Sequence, residues 1–169
     1  MDGMELQCIE VEIDLGVYVD KDLKFEQHIN ETVKKAKKLA GMITHYIHYK
    51  HKEIMVQLFK SLVRPILEYG NAVRAPCLIK FKKTCIENVQ RRFTKRITRM
   101  NVEYEERLMA LKCPSLEYRR ARGDVIETFK IIHGYYDHET VCSLFKLYES
   151  ARTRGHPFKL HKKTVLTNQ

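Results

Sequence analysis

Glycine is scarce, with seven residues in a chain of 169. The sequence holds neither a Gly-rich phosphate-binding loop nor a Gly-x-Ser-x-Gly elbow, so nothing in it points to nucleotide cradling of the P-loop kind or to a serine nucleophile. Long apolar runs are missing as well. None approaches the roughly 18 residues of a membrane span, and a soluble chain without a membrane partner is expected. Cysteine is limited to five, at positions 8, 77, 85, 113 and 142. That odd number, with no dense framework and no charged-then-apolar signal segment ahead of it, reads as reduced thiols in an intracellular protein, nuclear or cytoplasmic and not secreted. Negative charge is in the minority, 21 Asp and Glu against 31 Lys and Arg for a net +10. Such an excess favours polyanionic partners. It is unevenly spread, because residues 1–25 hold seven acids and two lysines, net −5, which leaves +15 for the remainder.

What is present suffices for one ordinary core: 44% of residues are hydrophobic and 31% charged, the balance of a globular domain. Apolar residues alternate through Met4, Leu6 and Cys8 and then, after a slip at Ile9, through Val11, Ile13, Leu15, Val17 and Val19. The pattern predicts one strand over Met4–Val19, bulged once. Asp2-Gly3 ahead of it is a hairpin-turn signal without an incoming strand. After Phe25 the period becomes helical. Ile29, Val33, Ala36, Leu39, Ile43 and Ile47 predict a helix from about Glu26 to Tyr49. Met55, Leu58, Leu62, Ile66 and Tyr69 predict a second from about Lys52, kinked at Pro65 and stopped by Gly70-Asn71. Ile86, Val89, Phe93 and Ile97 mark a third after Pro76. A short helix around Leu108 and Leu111 closes at Cys113-Pro114, a longer one runs from an N-cap at Ser115 to Ile132 before Gly134, and another short one spans His138 to Tyr148. The expected fold is mainly α, a bundle of about five to six helices preceded by a short strand or partial hairpin. Its segments are 1–25, 26–150 and a basic flexible tail over 151–169.

Candidate chemistry is thin. Asp20 and Asp22 could hold a divalent cation at a strand end, but Asp22 stands just ahead of the helical period, where a short acid caps free N–H groups, and turn and cap is the preferred reading. His45, His48 and His51 recur every three residues without a cysteine or carboxylate to complete a zinc spacing. His133, His138 and Cys142 with the distant Cys113 lack the close Cys-x-x-Cys pairs of a zinc knuckle. Neither a metal nor a cofactor is expected. What stands out is KFKKTCIENVQRRFTKRITR, where Lys80, Lys82, Lys83, Arg91, Arg92, Lys95, Arg96 and Arg99 face a single acid, Glu87. A one-sided basic cluster on a helix is either a solvated face or a footprint for phosphates. Lys34, Lys35, Lys37 and Lys38, and Arg119, Arg120 and Arg122, are further candidates.

Five separated blocks, LGVYVDKDLKFEQHI, LFKSLVRPILEYGNAV, IENVQRRFTKRI, YEERLMALKCPSLEYRRARGDVIETFKIIHG and RGHPFKL, resemble in order the C-terminal part of non-LTR (LINE, jockey-like) retrotransposon reverse transcriptases. The resemblance covers most of residues 1–161. It implies that Leu15, Gly16, Val17 and Tyr18 correspond to a primer-grip-like strand at the palm edge, and that the helices correspond to the thumb and its extension. Asp20 and Asp22 then fall on the turn leaving that strand. The family's metal-binding carboxylates belong to an upstream Tyr-x-Asp-Asp-type motif that this sequence does not contain. MDGMELQ resembles the middle of the palm hairpin, which would make Met1 an internal methionine of a longer ancestor. Two departures stand out: Arg74 in AVRAP occupies the place of the family's usual Trp, and the chain stops soon after RGHPFKL. The expectation is a truncated, non-catalytic fragment that binds template-primer duplex, RNA or DNA, nonspecifically through phosphates, with a separate palm or fingers fragment as a further partner. The alternative is a structural or protein-interaction bundle, or a translated pseudogene fragment without a selected role.

Overall fold

The computed structural model describes residues 10–47, 51–71, 80–98 and 102–136. Asp2-Gly3, Arg74, the helix expected over His138–Tyr148 and the tail from Ala151 lie outside the described residues. The chain divides into two units, Met1–Ala121 and Arg122–Gln169. The architecture is mainly helical behind a short antiparallel hairpin, in agreement with the expected class.

Of the single strand expected over Met4–Val19, Met4–Ile9 lie outside the described residues, and over the rest a hairpin replaces it. Strands β1 (Val11–Asp14) and β2 (Val17–Asp20) pair antiparallel, with Ile13 opposite Tyr18 and Asp14 opposite Val17. Between them the chain reverses at Leu15-Gly16, both with positive φ (45° and 80°), as the central positions of a tight hairpin turn require. Alternation concealed this reversal. A two-residue turn keeps the odd positions apolar but swaps the face they point to, because residues paired across the ladder share a face. Val17 is therefore buried, while Ile13 remains 59% exposed.

Among the described residues six α-helical segments follow: α1 (Glu26–Tyr46), α2 (Lys52–Leu58), α3 (Arg64–Glu68), α4 (Lys80–Thr98), α5 (Tyr104–Ala110) and α6 (Leu116–Ile132). A π-helical turn, Phe59–Val63, joins α2 to α3. Pro65 explains it: proline has no N–H to donate, and its ring crowds the carbonyl four residues back. The wider turn just upstream takes up that crowding. The core-facing row of this rod is Met55, Phe59, Val63 and Leu67, whereas Leu62 and Tyr69 are exposed. This corrects the expected series, since Leu58, Leu62 and Ile66 form an equally apolar neighbouring row and only packing selects between the two. After α3 the chain turns at Gly70, φ 67°, close against Val17.

On α1, Ile29, Val33, Ala36, Ala40 and Ile43 are buried, and on α4 Ile86, Val89, Phe93 and Ile97. The two helices run parallel, since Lys82 near the start of α4 pairs with Glu26 at the start of α1, 3.3 Å, and Arg96 donates to Thr44 Oγ1 near the other end, 3.2 Å. Phe59 and Phe93 meet at 4.9 Å between ring centroids and join α4 to the π turn. In the second unit the described part of α6 leaves Val125 and Phe129 exposed.

Candidate nucleic-acid interface

Helix α4 divides its residues by spacing. The apolar row faces the core, and Arg91, Arg92, Lys95 and Arg96 are all exposed. They do not form one ridge. Arg92 and Arg96, one turn apart, lie on the side toward α1, where Arg96 reaches Thr44. Arg91 lies on the opposite flank with its guanidinium 4.6 Å above the Tyr104 ring, a cation–π contact. Lys95 stands between them, away from the core.

The α1 lysines are likewise distributed. Lys37 precedes Thr44 by two helical turns and so shares its row, on the rim beside Arg92 and Arg96. Lys34 and Lys38 lie on the side opposite the buried Ala36 and Ala40, and Lys34 is 3.7 Å from Glu31. Lys35 is on the other flank, lining a cleft of about 370 Å³ with Gly16, Tyr18, His28 and Tyr69. Gly16 and Tyr18, two of the four residues for which the resemblance implied a primer grip, thus border this cleft. Leu15 fixes its edge by accepting the Tyr69 hydroxyl on its carbonyl, 2.5 Å, and Val17 is in the core. Tyr69, 54 positions from Leu15, carried no local signal for this contact.

Of the other basic residues, Lys82 and Arg119 are engaged by partners within the fold. Lys82 is buried, donating to the Lys24 carbonyl at 2.7 Å. Arg119 grips Glu68 with two nitrogens, 2.5 and 3.0 Å, and this carboxylate raises its pKa further. Arg120 is buried with both terminal nitrogens lacking a hydrogen-bond partner. Arg122 is exposed in the second unit.

The cap position of α1 is Phe25, whose side chain makes no cap hydrogen bond, and the acid that takes up the free N–H groups from the preceding loop is Asp20 rather than the expected Asp22. The Asp20 carboxylate accepts the N–H of Lys24 (2.6 Å) and of Glu26 (3.2 Å), the first residue of α1. Leu23 and Phe25, both with φ 53°, curl the backbone so that the earlier aspartate reaches the helix start. Asp22 is paired with Lys24 at the surface, which holds its carboxyl below the usual range. Among the described residues no group of three or more His, Cys, Asp or Glu is placed to hold a metal ion. His45 and His51 are exposed, and Cys113 is buried with its thiol pushed up by desolvation. His48, His138 and Cys142 lie outside the described residues.

Glu87, the lone acid of the basic stretch, has a role that local sequence did not reveal. Its carboxylate accepts the Tyr104 hydroxyl (2.5 Å) and the N–H groups of Leu116 (3.3 Å) and Glu117 (3.2 Å) at the start of α6. Ser115 caps the same turn through the Tyr118 N–H, 3.1 Å, as its sequence position suggested.

No family model matches the chain, and no solved structure matches it. It is similar to the uncharacterized protein B0403.1 of Caenorhabditis elegans, 26% identical over 134 residues that cover 78% of this chain and 68% of that protein. Among the described residues no helix is long and apolar enough to cross a membrane.

Proposed function

We propose that this chain is a non-catalytic, reverse-transcriptase-like protein that holds template-primer duplex inside the cell through its phosphates. The observation that carries the reading is the division of α4, whose apolar row is buried while Arg91, Arg92, Lys95 and Arg96 remain in solvent, with Lys37 continuing the basic rim onto α1. Phosphate contacts of this kind give affinity without reading bases. The hairpin and its cleft are where a separate palm or fingers fragment would join. Asp20, at the end of β2, is committed to backbone N–H groups, and catalysis is assigned to no residue of this chain.

Fluorescence anisotropy with duplex over a salt series tests the reading. About four to six phosphate contacts give a logarithmic slope of roughly −4 to −5 and a Kd of about 10⁻⁴ to 10⁻⁶ M. Absence of binding at low salt removes the reading, and template-dependent primer extension lost in Asp20→Ala/Asp22→Ala removes its non-catalytic part. A second reading, a bundle that binds another protein, is favoured by the exposure of Val125 and Phe129 on α6.

A further inference from the structure

Beside the basic face lies a cleft that shares only Arg91 with it. It has a volume of about 570 Å³ and is bordered by α4, α5 and the first turn of α6. Leu108 and Cys113 give it a buried apolar lining, while Met109 (72% exposed) and Tyr118 (60% exposed) stand at its rim. Its charged groups are mixed. Arg91 lines it and also belongs to the α4 basic face, and Lys112 is an exposed cation on the α5 side; Glu87 is engaged with Tyr104 and the α6 backbone; Glu105 and Glu117 are exposed carboxylates.

With Glu87, Glu105 and Glu117 against Arg91 and Lys112 the lining carries a net negative charge, so a nucleic-acid backbone is a poorer occupant than a neutral group. A neutral planar ring is a good one. It can stack on an exposed tyrosine, touch a thioether, and present an amine to a carboxylate. We infer that the cleft takes an unpaired nucleobase at the single-stranded end of a duplex whose phosphates lie along α4, with Arg91 at the junction. Bases with an exocyclic amine are favoured, because thymine and uracil hold their one ring N–H donor between two carbonyl acceptors that Glu105 and Glu117 repel. The inference rests on the phosphate reading above and adds to it a preference for tailed over blunt duplex.

The test uses the full chain with a blunt duplex and with the same duplex extended by a short tail ending in 2-aminopurine, a fluorescent base carrying an exocyclic amine. The expected result is about tenfold tighter binding of the tailed duplex, the scale of one stacked base, with quenching of the 2-aminopurine and a smaller gain for a thymine tail. Tyr118→Ala/Met109→Ala, at exposed positions, should erase the gain and the quenching while blunt-duplex affinity stays unchanged. Equal affinity for tailed and blunt duplex without quenching overturns the cleft assignment and leaves the phosphate reading in place. Quenching that persists in the double variant also overturns the assignment. Binding of neither duplex overturns both.

Discussion

Asp20 and Asp22 stand two positions apart in different surroundings. Asp20 satisfies two N–H groups at the entry to α1, and Asp22 meets only an exposed lysine. Asp20→Ala is therefore expected to cost about 1–2 kcal/mol, the usual loss for a helix cap, whereas Asp22→Ala should leave the thermal midpoint unchanged, since exposed ion pairs contribute little. Thermal melts decide this: equal losses would mean that Asp20 is not the cap. Tyr104 gives a second test at this scale. Burial and then the hydrogen bond to Glu87 raise its hydroxyl well above the usual 10.0, and burial raises the Cys113 thiol above 9.0. With the folded pKa raised, both groups contribute fully below their unfolded values, and the contribution is lost as pH climbs past them. Stability should accordingly decline from about pH 9 upward. Tyr104→Phe should lower stability near neutral pH by about 1–2 kcal/mol, as Glu87 loses a donor, and flatten the alkaline decline. Denaturant unfolding at several pH values reads both, and an alkaline limb unchanged in the variant would exclude Tyr104 as its source.

Two glycines separate the demands of turn and helix. Gly70 has φ 67°, and an added Cβ would lie 3.2 Å from a Val17 methyl; nothing lies within 4 Å of the corresponding position at Gly41 in α1. Gly70→Ala should destabilise by about 1–2 kcal/mol, and Gly41→Ala should stabilise by about 0.5–1 kcal/mol. Urea midpoints of the two variants moving in the same direction would contradict this account. The same contrast shows which elements were legible beforehand. Gly70 after an apolar period marked the end of a helix, and four-residue spacing placed Ile86, Val89, Phe93 and Ile97 on the buried face of α4, because both are local rules. Leu15-Gly16 was passed over as strand because a two-residue turn leaves alternation intact. The inward row of the rod from Lys52 to Glu68 was misassigned because adjacent rows are equally apolar there. Asp20 was overlooked as the cap because two positive-φ residues, neither of them glycine, fold the loop back.

Across the whole molecule, positive charge is sorted by partners that sequence distance conceals. Glu68 holds Arg119 from 51 residues away, and Lys82 reaches back 58 residues to Lys24, so a count of basic residues overstates the surface available to a polyanion. The local part of the candidate site, the exposed quartet on α4, was legible from helical spacing; the removal of Lys82 and Arg119 was not, because it depends on packing between distant elements. This sorting leads to a prediction about charge removal. Arg92→Gln/Arg96→Gln strips the row beside α1 and Lys37, and Arg91→Gln/Lys95→Gln strips the remaining two positions. Each pair accounts for at most two phosphate contacts, so each double variant should flatten the salt slope by up to about 2, and the quadruple variant by up to about 4, at roughly 0.9 per contact. Circular dichroism must show that each of these variants is folded. Lys82→Ala and Arg119→Gln provide the contrast: each removes one positive charge and breaks a partly buried interaction, so each should lower the unfolding midpoint while leaving the salt slope of the folded protein within error of wild type. If those two variants flatten the slope as much as a surface pair does, the phosphates are not on α4. If the quadruple variant folds and binds with unchanged slope, the basic face takes no part in binding.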